Sequence, residues 1–241
     1  MSRSRKKKIY IKRIISDIRD ITSDPVENIH IWYDEVNLTK IRALIIGPRD
    51  TPYEDGFYFF TLDFPNTYPF NSPSAKFETI NNIIRFNPNL YEGGKVCLSI
   101  LGTWQGPKWS SIQTIKSVLL SIQSLLCENP IENEPGFEKY SQDTPEAKSY
   151  IEYVRFNNYS YALITMLEKK DFFSFFNEIL KKYFLDNYDR IIKNLNKYKA
   201  LDGGVKKTPL WHKSVKIDYN SLIERSEKLH KEFTDDFTFD I

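Results

Sequence analysis

The chain has 241 residues, 41% of them hydrophobic and 15% aromatic, enough to build a sizeable core in one or two domains. Its 34 Lys and Arg nearly balance 32 Asp and Glu, a formal +2, which excludes a nucleic-acid binder that works through whole-chain charge. No apolar run approaches the ~18 residues that span a bilayer, and the opening "MSRSRKKKIYIKR" lacks the apolar stretch of a secretory signal, so neither membrane insertion nor export is expected.

In chain order, Ile11, Ile14, Ile15, Ile18 and Ile21 fall at helical spacing within Ser4 to Ile21, and "TSDP" with Pro25 ends the pattern. This amphipathic helix opens on Arg3, Arg5, Lys6, Lys7, Lys8, Lys12 and Arg13 without an acidic residue, a local positive patch. Four strand-like runs follow, "NIHIWYDE", "KIRALIIG", "FYFFTLDFP" and "SAKFET", with the turn-rich "GPRDTPYEDG" and "PNTYPFNSP" among their connectors. A helix, four strands and such connectors predict an antiparallel meander with a helix against one face, an α/β (α+β) fold. "SSIQTIKSVLLSIQSLLCE" then spaces Ile115, Val118, Leu119, Ile122, Leu125 and Leu126 for a buried helix.

Beyond Asp143 the pattern is helical. Thr144 and Pro145 suit an N-cap and a first helical position. An apolar face from Phe172 to Tyr198 predicts a second helix, "LDGGVKK" breaks it, and "DYNSLIERSEKLHKEF" resumes as a last helix before "TDDFTFDI", which is expected to be loose. The chain thus divides into a core, residues 1–143, and a helical extension, residues 144–241, expected to pack on the core's C-terminal helices.

Cys97 and Cys127 form no CxxC pair and no disulfide framework, which fits a reducing compartment, the cytosol first and the nucleus second. His30, His212 and His230 lack metal-ligand spacing, and no metal is expected. Cys97 follows the Gly93–Gly94 turn and has Asn89 eight residues upstream. A thiol that accepts and passes on an acyl group needs thiolate character, access and a donor for the oxyanion, and an Asn amide is such a donor. Set between Val96 and Leu98, the same thiol reads more readily as a small core residue, since free Cys is more often buried than catalytic. Cys127, at the end of an apolar helix, reads as core.

"YPFNSP", "FNPNLYEGGKVCLSIL", Trp109 and "SVLLSIQSLLCENPIENEPGFE" together resemble the core of a ubiquitin-conjugating enzyme, the carrier that holds ubiquitin as a thioester. The resemblance runs from Arg5 to Tyr140. "NPN", "SILGTWQGPKW" and "NEPGFE" look most like the Z-type branch, charged by the alternative ubiquitin-activating enzyme, and a fainter likeness to that branch's extension continues to Phe233. It implies the UBC fold, with Cys97 accepting the modifier's C-terminal glycine and Asn89 steadying either the oxyanion or the loop that shapes it. Asn87 stands where the family usually has a loop-supporting His, and Pro88 follows it. Asn133 or Glu134 fall where the family often places an acidic residue that orients the incoming lysine; Glu132 is read as solvated.

By the same resemblance Arg5, Lys6, Lys7, Lys8, Lys12 and Arg13 dock the activating enzyme, with a nuclear signal or a solvated face as the alternatives. Phe70 matches a position that touches activating enzyme or ligase. Ser111 replaces a common Pro in a ligase-contact loop, which puts conventional RING-ligase pairing in question. Trp104, in a short insertion, either shapes the cleft or simply packs. The implied partners are ubiquitin or a ubiquitin-like modifier, the activating enzyme, a ligase and protein substrates, with no nucleic acid and no membrane. No cofactor is implied, because adenylation belongs to the activating enzyme. A non-catalytic ubiquitin-binding adaptor of the same fold is the alternative, and Cys97 argues against it; a cysteine hydrolase would need a general-base His, and none lies near Cys97 in sequence. The extension either selects between activating enzymes or stabilises the core, and on the selection reading a chain ending at Asp143 stays folded.

Overall fold

Apolar side chains at helical spacing fold Arg3–Ser23 into α1, which buries Ile14, Ile18 and Ile21. The computed structural model describes residues 3–239, with side chains from 9 to 236, so the side chains of Arg5, Lys6, Lys7 and Lys8 lie outside the described residues. Strands β1 (Ile29–Tyr33), β2 (Lys40–Ile46), β3 (Phe57–Asp63) and β4 (Ser74–Phe77) form an antiparallel meander in that order. Its register sets Ile41 opposite Leu62 and Phe60 opposite Phe77. α2 (Ile115–Gln123) begins on a Thr114–Ser117 capping box and packs beside α1. It stops short of the predicted "SLLCE", although Leu125 and Leu126 are still buried.

Strand alternation divides the sheet's side chains between two cores. Ile41, Ala43, Ile45, Tyr58, Phe60 and Leu62 join α1 and α2, whereas Leu44, Ile46, Phe57 and Phe59 point to the opposite face. A strand buried on both faces explains the unbroken apolar run "FYFFTL". The outer face is covered by the extension. α3 (Pro145–Asn157), capped by Thr144 as predicted, passes into a π-helical stretch (Asn158–Thr165) and a last turn, α4 (Met166–Glu168). α5 (Asn177–Tyr198) and α6 (Tyr219–Phe239) complete it.

The extension's aromatic cluster therefore meets the sheet, not only the core's C-terminal helices as expected. Phe59 lies within 5.5 Å of Phe172 and 4.9 Å of Phe173 between ring centres, and Trp32 stacks on Phe175 at 4.3 Å. α3 itself places Ala147, Tyr150, Tyr153 and Val154 in the inner core. Residues 172–173 form a turn and Ser174–Phe176 a single 3-10 turn rather than the predicted start of the helix, because Phe173 adopts a left-handed φ of 53° just before α5. "TDDFTF" is helical to Phe239 rather than loose, and the last two residues lie outside the described ones. A short hairpin, β5 (Val205–Lys207) and β6 (Ser214–Lys216), follows the "LDGG" break and packs on α3.

Polar contacts lock the extension to the β2–β3 connection. Asn158, fully buried, accepts the Tyr58 hydroxyl at 2.6 Å and donates to the Glu54 carbonyl at 2.7 Å. Gly56 is required there, since a Cβ would sit 1.9 Å from Asn158 Oδ1. Arg190 of α5 pairs with Glu54 and reaches Asp55 at 2.6 Å, and the Tyr183 hydroxyl donates to Asp55 at 2.8 Å. Burial pushes the Asp55 carboxyl up, and the Arg190 charge draws it partly back. Among the described residues no helix is long and apolar enough to cross a membrane.

Candidate active site

The segment from Arg85 to Cys97 folds back on itself through isolated bridges that pair Asn87 with Leu90 and Leu90 with Val96. Gly94 makes the reversal possible: at φ 88° a side chain is strained, and a Cβ would press to 2.8 Å on the Phe77 carbonyl. Asn87 is fully buried and uses every polar atom of its side chain. Its amide donates to the Tyr53 hydroxyl (2.9 Å) and the Leu125 carbonyl (2.7 Å), and its oxygen accepts the Asn89 N–H (2.9 Å). A side-chain amide with two donors and one acceptor can thus supply loop support without an imidazole.

Asn89 holds Cys97 at both of its backbone groups. The Cys97 N–H donates to the Asn89 carbonyl at 2.9 Å, and Asn89 Nδ2 donates to the Cys97 carbonyl at 2.8 Å. Asn89 Oδ1 is buried with no hydrogen-bond partner. Thr103 ties both neighbours of Cys97, accepting from the Leu98 N–H (2.9 Å) and donating to the Val96 carbonyl (2.7 Å). The thiol so framed is only 1% exposed. The arrangement fixes the Cys97 backbone but does not present its thiol to solvent.

The sequence profile described as "Ubiquitin-conjugating enzyme" matches residues 13–156. The chain belongs to the ubiquitin-conjugating enzyme family. It is similar to proteins named ubiquitin-conjugating enzyme E2 Z: 42% identical over 92% of its length in Xenopus tropicalis, 43% over 91% in Homo sapiens and 42% over 92% in Danio rerio. It spans 71%, 65% and 68% of those proteins in turn, and within the ubiquitin-conjugating enzymes it is of the Z type.

The other positions that the conjugating-enzyme resemblance picked out are scattered around this centre. Pro88 is buried, and its carbonyl accepts from Arg85 at 2.8 Å. Asn133 turns inward to the Leu125 carbonyl at 3.3 Å. Glu134 is half-buried; burial pushes its carboxyl up and the Arg85 charge draws it partly back, which suits a proton acceptor near that guanidinium. Glu132, expected to be merely solvated, accepts from Asn129 Nδ2 at 2.5 Å. Cys127 is half-buried rather than fully in the core, and burial pushes its thiol up.

Phe70 is 76% exposed and lines an apolar groove of about 310 Å³ with Ile9, Tyr10 and Tyr68. Arg13 is not free to dock a partner. Its guanidinium pairs with Asp17 (2.7 Å) and donates to the carbonyls of Ser111 (2.8 Å) and Gln113 (2.6 Å), tying α1 to that loop. Lys12 and Ser111 are exposed. Trp104 is 39% exposed and lines a shallow cavity with Gly102, Gln105, Pro135 and Glu138. No group of three or more possible metal ligands occurs among the described residues.

The sequence reading missed Tyr53, Arg85, Thr103 and Trp211. Arg85 was the findable one: a lone cation in "IIRFNP" must be paired, stacked or solvated. Its guanidinium lies 3.9 Å from the ring centres of both Tyr91 and Trp211.

Proposed function

We propose that the chain accepts ubiquitin or a ubiquitin-like modifier as a thioester on Cys97 and passes it to a substrate lysine or a ligase cysteine. The observation that carries this reading is the double backbone hold of Asn89 on Cys97, at 2.9 and 2.8 Å, in a loop stabilised from within by Asn87. In the first step the Cys97 thiolate attacks the acyl carbon of the activating enzyme's thioester and expels that enzyme's thiolate. In the second a lysine amine attacks the Cys97 thioester, the amide bond forms, and the thiol returns. Each step passes through a tetrahedral oxyanion that a donor stabilises.

A thiol 1% exposed must be uncovered for either step. The exposed segment 102–108 begins five residues after it, past the turn at Ser99–Leu101, and contact with the activating enzyme is the event that would move it. Lys12 with Arg5, Lys6, Lys7 and Lys8 supplies positive charge for that docking, and exposed Phe70 an apolar contact. The same burial is what favours the second reading, a ubiquitin-binding adaptor of this fold that carries nothing.

Incubation with ubiquitin, ATP and each of the two kinds of ubiquitin-activating enzyme, read on a non-reducing gel, decides between them. A thiol-labile adduct supports the carrier; its absence with both enzymes and with a ubiquitin-like modifier supports the adaptor. Once charging is established, Asn89→Ala removes the side-chain hydrogen bond to the Cys97 carbonyl. By the size of known oxyanion-donor losses, discharge to free lysine should slow by about 100-fold, with charging less affected. Single-turnover discharge measures it, and an unchanged rate would leave Asn89 without a role in transfer.

A further inference from the structure

The β5–β6 hairpin belongs to the extension, yet its tip touches the loop that carries Asn87 and Asn89. The Arg85 guanidinium carbon lies over the Trp211 ring at 3.9 Å and over the Tyr91 ring at 3.9 Å. Stacked in this way on both rings, Arg85 donates to the Pro88 carbonyl at 2.8 Å, the peptide that joins Pro88 to Asn89. Lys213, two residues along the hairpin, donates to the Ile83 carbonyl at 2.6 Å and pairs with Glu92 at 2.7 Å. The hairpin therefore grips the loop before and after its central asparagines.

The hairpin is anchored from behind. Lys206 pairs with Glu152 of α3 at 2.6 Å, and Trp211 meets the ring of Tyr150, also on α3, edge-on at 6.0 Å. Its tip holds two consecutive residues with side chains in the left-handed region, Trp211 at φ 58° and His212 at φ 52°. Such backbone persists only where its surroundings hold it, and here the Arg85 stack and the Lys213 contacts do so.

We infer that the hairpin is a positioning element for the transfer reaction, with Trp211 acting through Arg85 and Pro88 to fix Asn89 and hence Cys97. This rests on the thioester reading above. Trp211 and Arg85 are positioning residues, since neither is placed against the reacting atoms. Small displacements of a nucleophile's frame carry large losses in rate, which is why a contact made by a distant part of the chain can matter to the chemistry.

The test uses the full chain and two readouts. In the uncharged protein, Trp211→Ala should raise hydrogen exchange at the Asn89 and Cys97 amides by about tenfold, the scale of a lost cation–ring stack, while amides of the β1–β2 ladder such as Leu44 stay protected. In the charged protein, discharge to lysine should slow by about tenfold or more. Trp211→Phe should keep both near the parental values. Arg85→Lys, which cannot stack as a plane, should reproduce Trp211→Ala, and the double variant should add little. Arg85→Lys removes the planar stack but leaves the hairpin's Lys206–Glu152, Lys213–Glu92 and Trp211–Tyr150 contacts in place, so it serves if Trp211→Ala fails to fold. Parental exchange at Asn89 and Cys97 in these variants, or a rise shared equally by Leu44, would overturn the inference. A parental chain that cannot be charged would sink the thioester reading instead, and the exchange comparison would still decide what the hairpin holds.

Discussion

Cys97→Ser is expected to abolish the thiol-labile adduct and leave, at most, a stable oxyester that resists thiols. A serine hydroxyl in the same frame is a far weaker nucleophile than a thiolate, and the ester it forms is a poorer acyl donor to an amine. Cys127→Ser should charge normally, because Cys127 lies in the loop after α2, half-buried and outside the Asn89 hold. The pair is read by charging followed by thiol and hydroxylamine treatment. Survival of a thiol-labile adduct in Cys97→Ser would remove Cys97 from the mechanism altogether.

Arg190→Met should cost about 3 kcal/mol of stability, the loss typical of removing one partner of a buried pair. The Asp55 side chain is fully buried and that of Arg190 only 27% exposed, so the variant strands a carboxylate whose other partner is the Tyr183 hydroxyl. The sign of the pH dependence follows from burial. Asp55 has a folded pKa already raised, and without Arg190 it rises further, so the folded state takes up a proton more readily than the unfolded one. The deficit should be largest at neutral pH and shrink as pH falls through that raised value. Urea unfolding at two pH values measures this, and Arg190→Lys should recover only part of the loss, since Arg190 reaches both Asp55 oxygens. A variant as stable as the parent at neutral pH would make the pair neutral.

Much of the fold was legible because its signals are local. Ile14, Ile18 and Ile21 reveal α1, Thr144–Pro145 marks the start of α3, and four apolar runs give four strands. The β5–β6 hairpin was not legible: "VKK" and "SVK" are too short and too charged to show a period of two. Nor was the break at Phe173, because its left-handed φ is imposed by packing against Phe59 and not by a glycine. At the site, Asn87, Asn89 and Cys97 came from the family pattern. That Cys97 is buried was the reading its neighbours Val96 and Leu98 favoured, and local pattern and family motif each described part of it. Arg85 could be singled out as a lone cation in an apolar run, but Trp211 stayed hidden because its contact with Arg85 joins segments far apart in the chain.

The sheet's outer face has a consequence for how the protein is made. β2 and β3 emerge early in synthesis, but Phe57 and Phe59 meet Phe172, Phe173, Phe176 and Tyr183, which come more than a hundred residues later, and Leu44 and Ile46 belong to the same cluster. Until the last third of the chain leaves the ribosome, the sheet can form but must keep that apolar face in water, at about 2 kcal/mol for each large side chain left uncovered. A chain ending at Asp143 is a permanent version of this state. With that face uncovered, such a chain is expected to self-associate rather than stand as a free core.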